Sequence, residues 1–240
     1  MINGRKVIGI IGGMGPMATA DLFIKIIENT QASCDQAHLH VLIDNNTDIQ
    51  DRTDCILAGS DAPLYPMIEA ADRLTAQGAD ILIMPCNTAH YYFDGLQAHA
   101  SVPVLNMPEL TAEYCEKEGI RCAAILATAG CLQSGVYDPF FKARGIRLLQ
   151  PSEEGVQALM HLIYAEVKAG VPAHPEILYP EMEKLKKEGA ETFLLACTEL
   201  PLVFGADTPF SCIDPTLILA RAAITAAGGT LKRDMHQKGL

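Results

Sequence analysis

The sequence predicts an α/β protein made of two related halves, each with a mainly parallel sheet flanked by helices. Three observations predict it: short apolar runs alternate with amphipathic helical patterns, glycine stands at four helix-to-strand junctions, and a segment near residue 77 has a counterpart near residue 188. Such alternation is typical of parallel sheets whose strands are connected by helices.

The candidate strands are short, and several are apolar on both faces, as expected for parallel strands covered by helices. In chain order they span residues 7–11, 39–44, 80–84, 102–105, 122–126, 146–149, 192–196 and 211–213. The first helix is predicted to begin at Pro16, because proline suits the first helical turn. Its apolar residues fall on one face, and they are Leu22, Phe23, Ile26 and Ile27.

Four junctions from a charged helix end to a strand contain glycine. They read "AQGADIL", "KEGIRC", "ARGIRL" and "KEGAET", with glycine at 78, 119, 145 and 189. Glycine adopts the left-handed conformation that ends a helix without a Cβ clash. These positions therefore predict where four helices end and the next strands begin.

An internal repeat predicts the two halves. "QGADILIMPCNT" (77–88) resembles "EGAETFLLACTE" (188–199), and in each segment cysteine follows glycine by 8 positions, at an offset of 111. "KVIGIIGGMG" (6–15) matches "RCAAILATAG" (121–130) at an offset of 115. Nearly equal offsets indicate duplicated units. We expect a first domain over 1–107, a second over 108–214, and a C-terminal segment, 215–240, that packs back on the first.

Composition narrows the classes of partner. The net charge of −11 argues against nucleic acid, and it means that an anionic substrate needs local positive groups. No apolar run approaches the ~20 residues of a membrane span, and the N-terminal segment is predicted as a first strand, not a signal peptide. The eight cysteines show neither Cys-x-x-Cys nor a close Cys/His cluster. We therefore expect free thiols in the cytoplasm and no metal site.

Cys86 and Cys197 occupy equivalent positions, each at the carboxyl end of an inner strand, where ligands bind in open α/β sheets. Packing is the commoner role for a single buried cysteine, but the shared register of two favours chemistry. The residues that follow them, Asn-Thr and Thr-Glu, suit a helix start, and a helix N-terminus lowers a thiol's pKa. Both thiols are therefore expected to serve as bases near neutral pH.

Several segments resemble the pyridoxal-independent aspartate/glutamate racemases, and most closely the aspartate racemases. They are "GGMGPMATADLF", "DRT" (51–53), "MPCNTAH", "ATAGCLQSGVY" (127–137), "EVKAG" (166–170) and "LACTELP", in order over nearly the whole chain. The resemblance implies two pseudo-symmetric Rossmann-like domains with the active site in the cleft between them. It also implies a homodimer, no cofactor, and an acidic amino acid as substrate, with Cys86 and Cys197 as the paired acid and base.

The same resemblance implies that Arg52 and Lys168 bind substrate carboxylate. By position alone, Arg52 is a loop arginine and Lys168 complements the dipole of a helix over 152–169. Where the family commonly has threonine, this chain has Cys131, which bears on the choice of substrate.

A carbanion next to a carboxylate needs hydrogen-bond donors when no pyridoxal phosphate is present. Candidate donors at the strand ends are Asn87, Thr88, Thr128 and Thr198. Helix capping is an equally good explanation for Asn87 and Thr198. Met14, in the glycine-rich loop after the first strand, is expected to bring backbone close to the substrate. Glu199 is a candidate to orient a proton or the substrate ammonium, and His90 a candidate to tune the Cys86 thiolate.

Alternatives remain at this point. Hydantoin racemases and maleate isomerases resemble the same pattern, whereas arylmalonate decarboxylases have one active cysteine and this chain has both. A catalytically silent amino-acid-binding protein would be favoured only by the loss of a thiol. Nucleotide binding through the glycine-rich start lacks an acidic residue well placed for a ribose.

Overall fold

Two parallel sheets form the centre of the protein, which a computed structural model describes over residues 4–205 and 208–232. The first has the strand order β2-β1-β3 and the second the order β5-β4-β6-β7. The strands are β1 (Ile8–Gly12), β2 (Val41–Asn45), β3 (Ile81–Ile83), β4 (Cys122–Leu126), β5 (Arg147–Leu149), β6 (Thr192–Leu195) and β7 (Cys212–Ile213). In each sheet the first strand of the half lies between the second and the third, so the repeat in the sequence corresponds to a repeated topology.

The helices connect these strands and cover them. They are α1 (Pro16–Asn29), α2 (Arg52–Leu57), α3 (Leu64–Ala76), α4 (Phe93–His99), α5 (Met107–Lys117), α6 (Ala129–Ser134), α7 (Asp138–Ala143), α8 (Glu153–Met160), α9 (Tyr179–Lys187) and α10 (Pro215–Ala226). Short 3-10 turns lie at Asp35–Ala37, Thr88–Tyr92, Pro175–Leu178 and Leu200–Leu202, and a π-helical segment spans His161–Val167. No helix in the described part of the chain is long and apolar enough to cross a membrane.

The four predicted junction glycines are confirmed as left-handed positions. Their φ values are 101°, 75°, 66° and 109° at residues 78, 119, 145 and 189. In each case the preceding helix ends one or two residues before the glycine and a strand follows it, which keeps the connections short.

Both faces of the first sheet are buried. On one face, Ile8 and Ile10 pack with Leu22 and Ile26 of α1 and with α10. Ile11 and Leu82 project to the other side and pack against α3. The second sheet is likewise covered on both faces. These contacts explain why the inner strands, such as β1 and β4, are continuously apolar.

Three expectations about elements change. Ile27 of α1 is 39% exposed, so the buried face of that helix is narrower than predicted. Residues 102–105 pair with the sheet only through a bridge between Leu82 and Val104. The helix predicted over 152–169 is α8 followed by the π-helical segment, with Lys168 just beyond it.

The C-terminal helix α10 returns to the first sheet, where Leu219, Ala220 and Ala223 pack beside Ile8. Residues 233–240, the end of the predicted C-terminal segment, lie outside the described residues. The domain boundaries at 107 and 214 stay a prediction.

Candidate active site

A cleft of about 270 Å³, including its open mouth, lies where the carboxyl ends of the two sheets face each other. Cys86 follows β3 and Cys197 follows β6, and both line the cleft. All ten site residues predicted from the sequence line it, and the full set is Met14, Asp51, Arg52, Thr53, Cys86, Asn87, Thr88, Thr128, Tyr164, Lys168, Cys197, Thr198 and Glu199.

Arg52 is the neighbour of Cys86 and is not a solvated loop residue. It is the first residue of α2 and only 7% exposed. Burial acts to lower the pKa of Arg52, but the charges of Cys86 and Asp51 outweigh burial and raise it above its usual value. The guanidinium is therefore a permanent cation beside one of the two sulfurs.

The guanidinium also donates hydrogen bonds to three backbone carbonyls. Nη1 donates to Ile49 O at 3.1 Å and to Gln50 O at 2.9 Å, and Nη2 donates to Met14 O at 3.2 Å. Nε is buried and has no hydrogen-bond partner among the described residues. Met14 thus contacts Arg52 through its backbone carbonyl, and the guanidinium also interacts with the side chain of Cys86.

Cys197 has the opposite environment. Its Sγ donates to Oε2 of Glu199 at 2.9 Å, and burial together with the Glu199 charge raises the pKa of Cys197 well above its usual value. The expected lowering of this pKa by a helix N-terminus is wrong, because only the single 3-10 turn Leu200–Leu202 follows the cysteine. Cys197 therefore holds its proton at neutral pH.

Lys168 lies on the same side of the cleft as Cys197, next to two residues that sequence reasoning missed. Its Nζ is 3.9 Å from Oδ2 of Asp51 and 4.1 Å from the centroid of the Tyr164 ring. Burial acts to lower the pKa of Lys168, but Glu199 and Cys197 contribute to raising it overall. Lys168 is thus a cation directed at the site, not at a helix end.

Asp51 and Tyr164 join the two halves at the cleft. Tyr164 Oη donates to Oδ2 of Asp51 at 3.0 Å, and the Asp51 carboxylate also accepts the N–H groups of Thr53 and Asp54 as the cap of α2. Burial acts to raise the pKa of Asp51, but the Asp54 N–H and Lys168 lower it overall. The cap could have been found from Asp at the start of "DRT", whereas Tyr164 had no signal beyond its place four residues before Lys168.

Three threonine hydroxyls also connect the halves. Thr53 Oγ1 donates to Thr128 Oγ1 at 3.1 Å, and Thr88 Oγ1 lies 3.1 Å from the same atom. Close approach is possible because Gly130 has no side chain: a Cβ there would lie 2.7 Å from Thr53 Cα. Thr128 also caps α6, so it serves the fold as well as lining the cleft.

Helix capping does not explain Asn87 or Thr198. Asn87 makes no side-chain cap bond at the start of the turn Thr88–Tyr92, and its Nδ2 is buried without a partner among the described residues. Thr198 Oγ1 donates to Oε2 of Glu199 at 3.3 Å. Both side chains therefore line the cleft without capping a helix.

Cys131 does not line the cleft. It is buried on α6, next to the side chain of Thr88, and burial raises its pKa. It therefore stands behind a cleft residue. Of the other five cysteines, four are buried and Cys34 is exposed.

His90 serves the backbone and not the thiol. Nδ1 hydrogen-bonds the carbonyl of Cys86 at 2.8 Å, and Nε2 accepts the N–H of Met107 at 3.1 Å. A ring that donates at Nδ1 and accepts at Nε2 is neutral. Burial lowers the pKa of His90 to about 4. The idea that His90 tunes the sulfur directly is not supported by these contacts.

We expect His90 to make stability depend on pH. Its pKa in the fold, about 4, lies below its usual 6.5, so the unfolded chain binds the extra proton. The contribution is complete above pH 6.5 and is lost as the pH falls towards 4, by on the order of 3 kcal/mol. The free energy of unfolding, measured by urea denaturation at a series of pH values, should change less steeply with pH for His90→Gln than for wild type. The exposed His99→Gln variant is the control, and equal slopes in all three proteins would contradict the assignment.

Comparisons with known proteins identify the family of the chain. The family model described as Asp/Glu/hydantoin racemase matches residues 11–223. The broad specificity amino-acid racemase RacX of Bacillus subtilis (strain 168) is 28% identical over 225 residues, covering 91% of this chain and 96% of its own length.

Solved structures are similar over nearly the whole chain. The aspartate racemase of Picrophilus torridus has a TM-score of 0.83 and 30% identity, covering 95% of this chain and 96% of its own. A putative Asp/Glu racemase from Yersinia pestis has a TM-score of 0.80, covering 92% and 99%; at 24% identity it supports the fold alone. The chain therefore belongs to the Asp/Glu/hydantoin racemase family and is an amino-acid racemase, an isomerase.

Proposed function

We propose that the protein interconverts L- and D-aspartate without a cofactor, with Cys86 and Cys197 as the two proton-transfer groups. The observation that carries the proposal is that both cysteines line one cleft at equivalent strand ends, each beside a different charged partner. Inversion at Cα needs a base on one face and an acid on the other. Two thiols, one ionised and one protonated, meet that need and exchange roles in each turnover.

The charges give the two sulfurs different surroundings. The Arg52 cation lies beside Cys86, whereas the Glu199 charge opposes negative charge on Cys197. We therefore propose a half-reaction in which Cys86 is the base and Cys197 the acid, and in which Cys86 takes the Cα proton from one enantiomer. By resemblance that enantiomer is D, with Cys197 acting on L. Once Cys86 has taken the Cα proton of the D-isomer and Cys197 has delivered its own proton to the opposite face, Cys86 is a thiol and Cys197 a thiolate, and this form takes the Cα proton of the L-isomer.

Acidic substrate is favoured by two cations that meet in the cleft from different halves. Arg52 holds a buried Nε–H without a partner among the described residues, and a carboxylate is a strong acceptor for it. The contact between Lys168 Nζ and Asp51 Oδ2 is long, at 3.9 Å. A substrate carboxylate that binds nearby can therefore replace Asp51 as the partner of Lys168. The substrate ammonium is assigned to Glu199. Aspartate is favoured over glutamate because both cations, in "DRT" and "EVKAG", match the pattern of the aspartate racemases.

Neighbouring proteins support this substrate class to different extents. The Picrophilus torridus neighbour is an aspartate racemase, and the Bacillus subtilis relative has broad specificity. The polar cleft, with Arg52 and Lys168 both in it, favours an acidic amino acid over an uncharged hydantoin.

Incubation with each L-amino acid in D2O, without pyridoxal phosphate and with EDTA, tests the proposal. We expect aspartate to racemise and to take up deuterium at Cα. The proton delivered to Cα comes from a thiol, and thiols exchange their protons with solvent. Chiral chromatography and proton NMR measure the two events. The double variant Cys86→Ala/Cys197→Ala serves as the blank. Complete inversion with the original α-hydrogen retained would rule out the two-base mechanism.

We also propose that the protein is a cytoplasmic homodimer. Free thiols suit a reducing compartment. The solvent side of α1 exposes Met17, Ile24 and Ile27 on one helical face, and exposed apolar faces commonly mark association surfaces. Light scattering should give twice the chain mass of 25.9 kDa.

A further inference from the structure

Tyr137 ends the segment "ATAGCLQSGVY" and has no part in the chemistry described so far. It does not line the cleft, yet it is only 1% exposed and its hydroxyl donates to Oδ1 of Asn87. The two residues are 50 positions apart and belong to opposite halves of the chain. A buried hydrogen bond thus runs from the core of the second half to the residue that follows Cys86.

The direction of this bond follows from the surroundings. Burial raises the pKa of Tyr137 well above its usual value, so the phenol keeps its proton and acts as donor. Thr111, the other hydroxyl beside it, donates its own hydrogen to Met107 O at 2.8 Å. With Oδ1 occupied, the amide of Asn87 presents Nδ2 as its remaining polar group.

That Nδ2 has no partner among the described residues, although Asn87 is 2% exposed and lines the cleft. A buried donor left unpaired is destabilising. A ligand acceptor that binds in the cleft removes this penalty. The α-carboxylate of the substrate is the acceptor best placed for this donor. Asn87 follows Cys86, the Cys86 sulfur must approach Cα, and the α-carboxylate is bonded to Cα.

We propose that Tyr137 is a positioning residue: by holding Oδ1 of Asn87, it fixes the amide so that Nδ2 donates to the α-carboxylate of the substrate. This proposal rests on the proposed function for the cleft, but not on aspartate being the substrate. Negative charge builds up on the α-carboxylate as Cα loses its proton, so the Nδ2 bond strengthens in the transition state. Tyr137 therefore acts on kcat more than on KM.

Tyr137→Phe separates the hydroxyl from the ring, which packs beside Phe141 at a centroid distance of 5.9 Å. Without the hydroxyl, the two ends of the Asn87 amide are free to exchange places. We expect kcat to fall about tenfold with KM within about twofold. In the Asn87→Ala background, Tyr137→Phe should have no further effect on kcat, because the group that it positions is gone.

Tyr92→Phe is the matched control. Tyr92 is also buried, and its hydroxyl donates to Ser60 O at 2.9 Å, away from the cleft. It should keep wild-type kcat. Asn87→Asp is a second variant that leaves Tyr137 intact: it keeps an acceptor for the phenol but has no donor for the substrate, and kcat should fall at least as far.

The proposal is overturned if Tyr137→Phe retains wild-type kcat, if its loss is equally large in the Asn87→Ala background, or if Asn87→Asp retains wild-type kcat. Failure of the proposed substrate is seen separately, in the wild type. If aspartate is not racemised, the same cycle is measured on the amino acid that the wild type does racemise, and the coupling between Tyr137 and Asn87 decides the result.

Discussion

Cys86→Ala and Cys197→Ala are each expected to abolish racemisation while leaving half of the chemistry. Each variant keeps one sulfur, which can remove and return a proton on one face of Cα but cannot deliver one to the other. We expect Cys197→Ala to exchange the α-proton of D-aspartate only, and Cys86→Ala that of L-aspartate only. Proton NMR in D2O follows exchange, and chiral chromatography follows inversion.

Cys212→Ala is the control for these variants. Cys212 is also a buried thiol of the second sheet, and burial raises its pKa to about 12, but it lies away from the cleft. Its variant should retain activity, as should variants of Cys34, Cys55, Cys115 and Cys122. More than about a tenth of wild-type racemisation in either cleft variant would contradict the assignment of two proton-transfer groups.

Substitution of Arg52 or Lys168 is expected to lower kcat/KM for aspartate by an order of magnitude or more, because each removes a cation from the proposed carboxylate site. Arg52→Lys keeps the charge but loses the planar set of donors. Lys184→Ala, at a surface lysine whose Nζ lies 3.8 Å from Oε2 of Glu181, is the matched control. If Arg52→Ala and Lys168→Ala both turn over aspartate normally, the carboxylate site is wrong and an uncharged substrate such as a hydantoin is favoured.

Stability must be measured beside activity for Arg52. A loop arginine is expected to tolerate substitution by alanine, but the Arg52 guanidinium donates hydrogen bonds to the carbonyls of Met14, Ile49 and Gln50. The variant leaves those groups without their donor, so we expect a lower free energy of unfolding as well. Arg52→Lys and Lys168→Ala should lower the free energy of unfolding less. Their kcat/KM values therefore test whether the two cations bind the substrate carboxylate.

The ratio of kcat/KM for L-aspartate to that for L-glutamate tests the size of the pocket. One methylene in a fitted site is typically worth ~1–3 kcal/mol, so a clear preference is expected. Cys131→Thr should change that ratio only through Thr88, because Cys131 stands behind the cleft and does not line it. An unchanged ratio would remove Cys131 from the account of specificity.

Much of this protein follows from its sequence alone. The left-handed glycines at the helix-to-strand junctions and the apolar strands depend on local conformation and on burial on both faces, which leave a clear pattern along the chain. The repeat relates Cys86 to Cys197 because duplicated halves keep the same register. Ten of the thirteen cleft residues are predicted from the sequence, Arg52 and Lys168 among them through the family resemblance, whereas Asp51, Thr53 and Tyr164 are not.

Tertiary structure alone decided what surrounds each group. The raised pKa of Cys197 comes from the Glu199 charge and from burial, and the neighbours of Arg52 come from three separate segments. Tyr164 and Tyr137 reach the site residues Asp51 and Asn87 across 113 and 50 positions. Sequence spacing carries no record of such contacts, since electrostatic interactions and hydrogen bonds depend on distances that exist only once the two halves pack together.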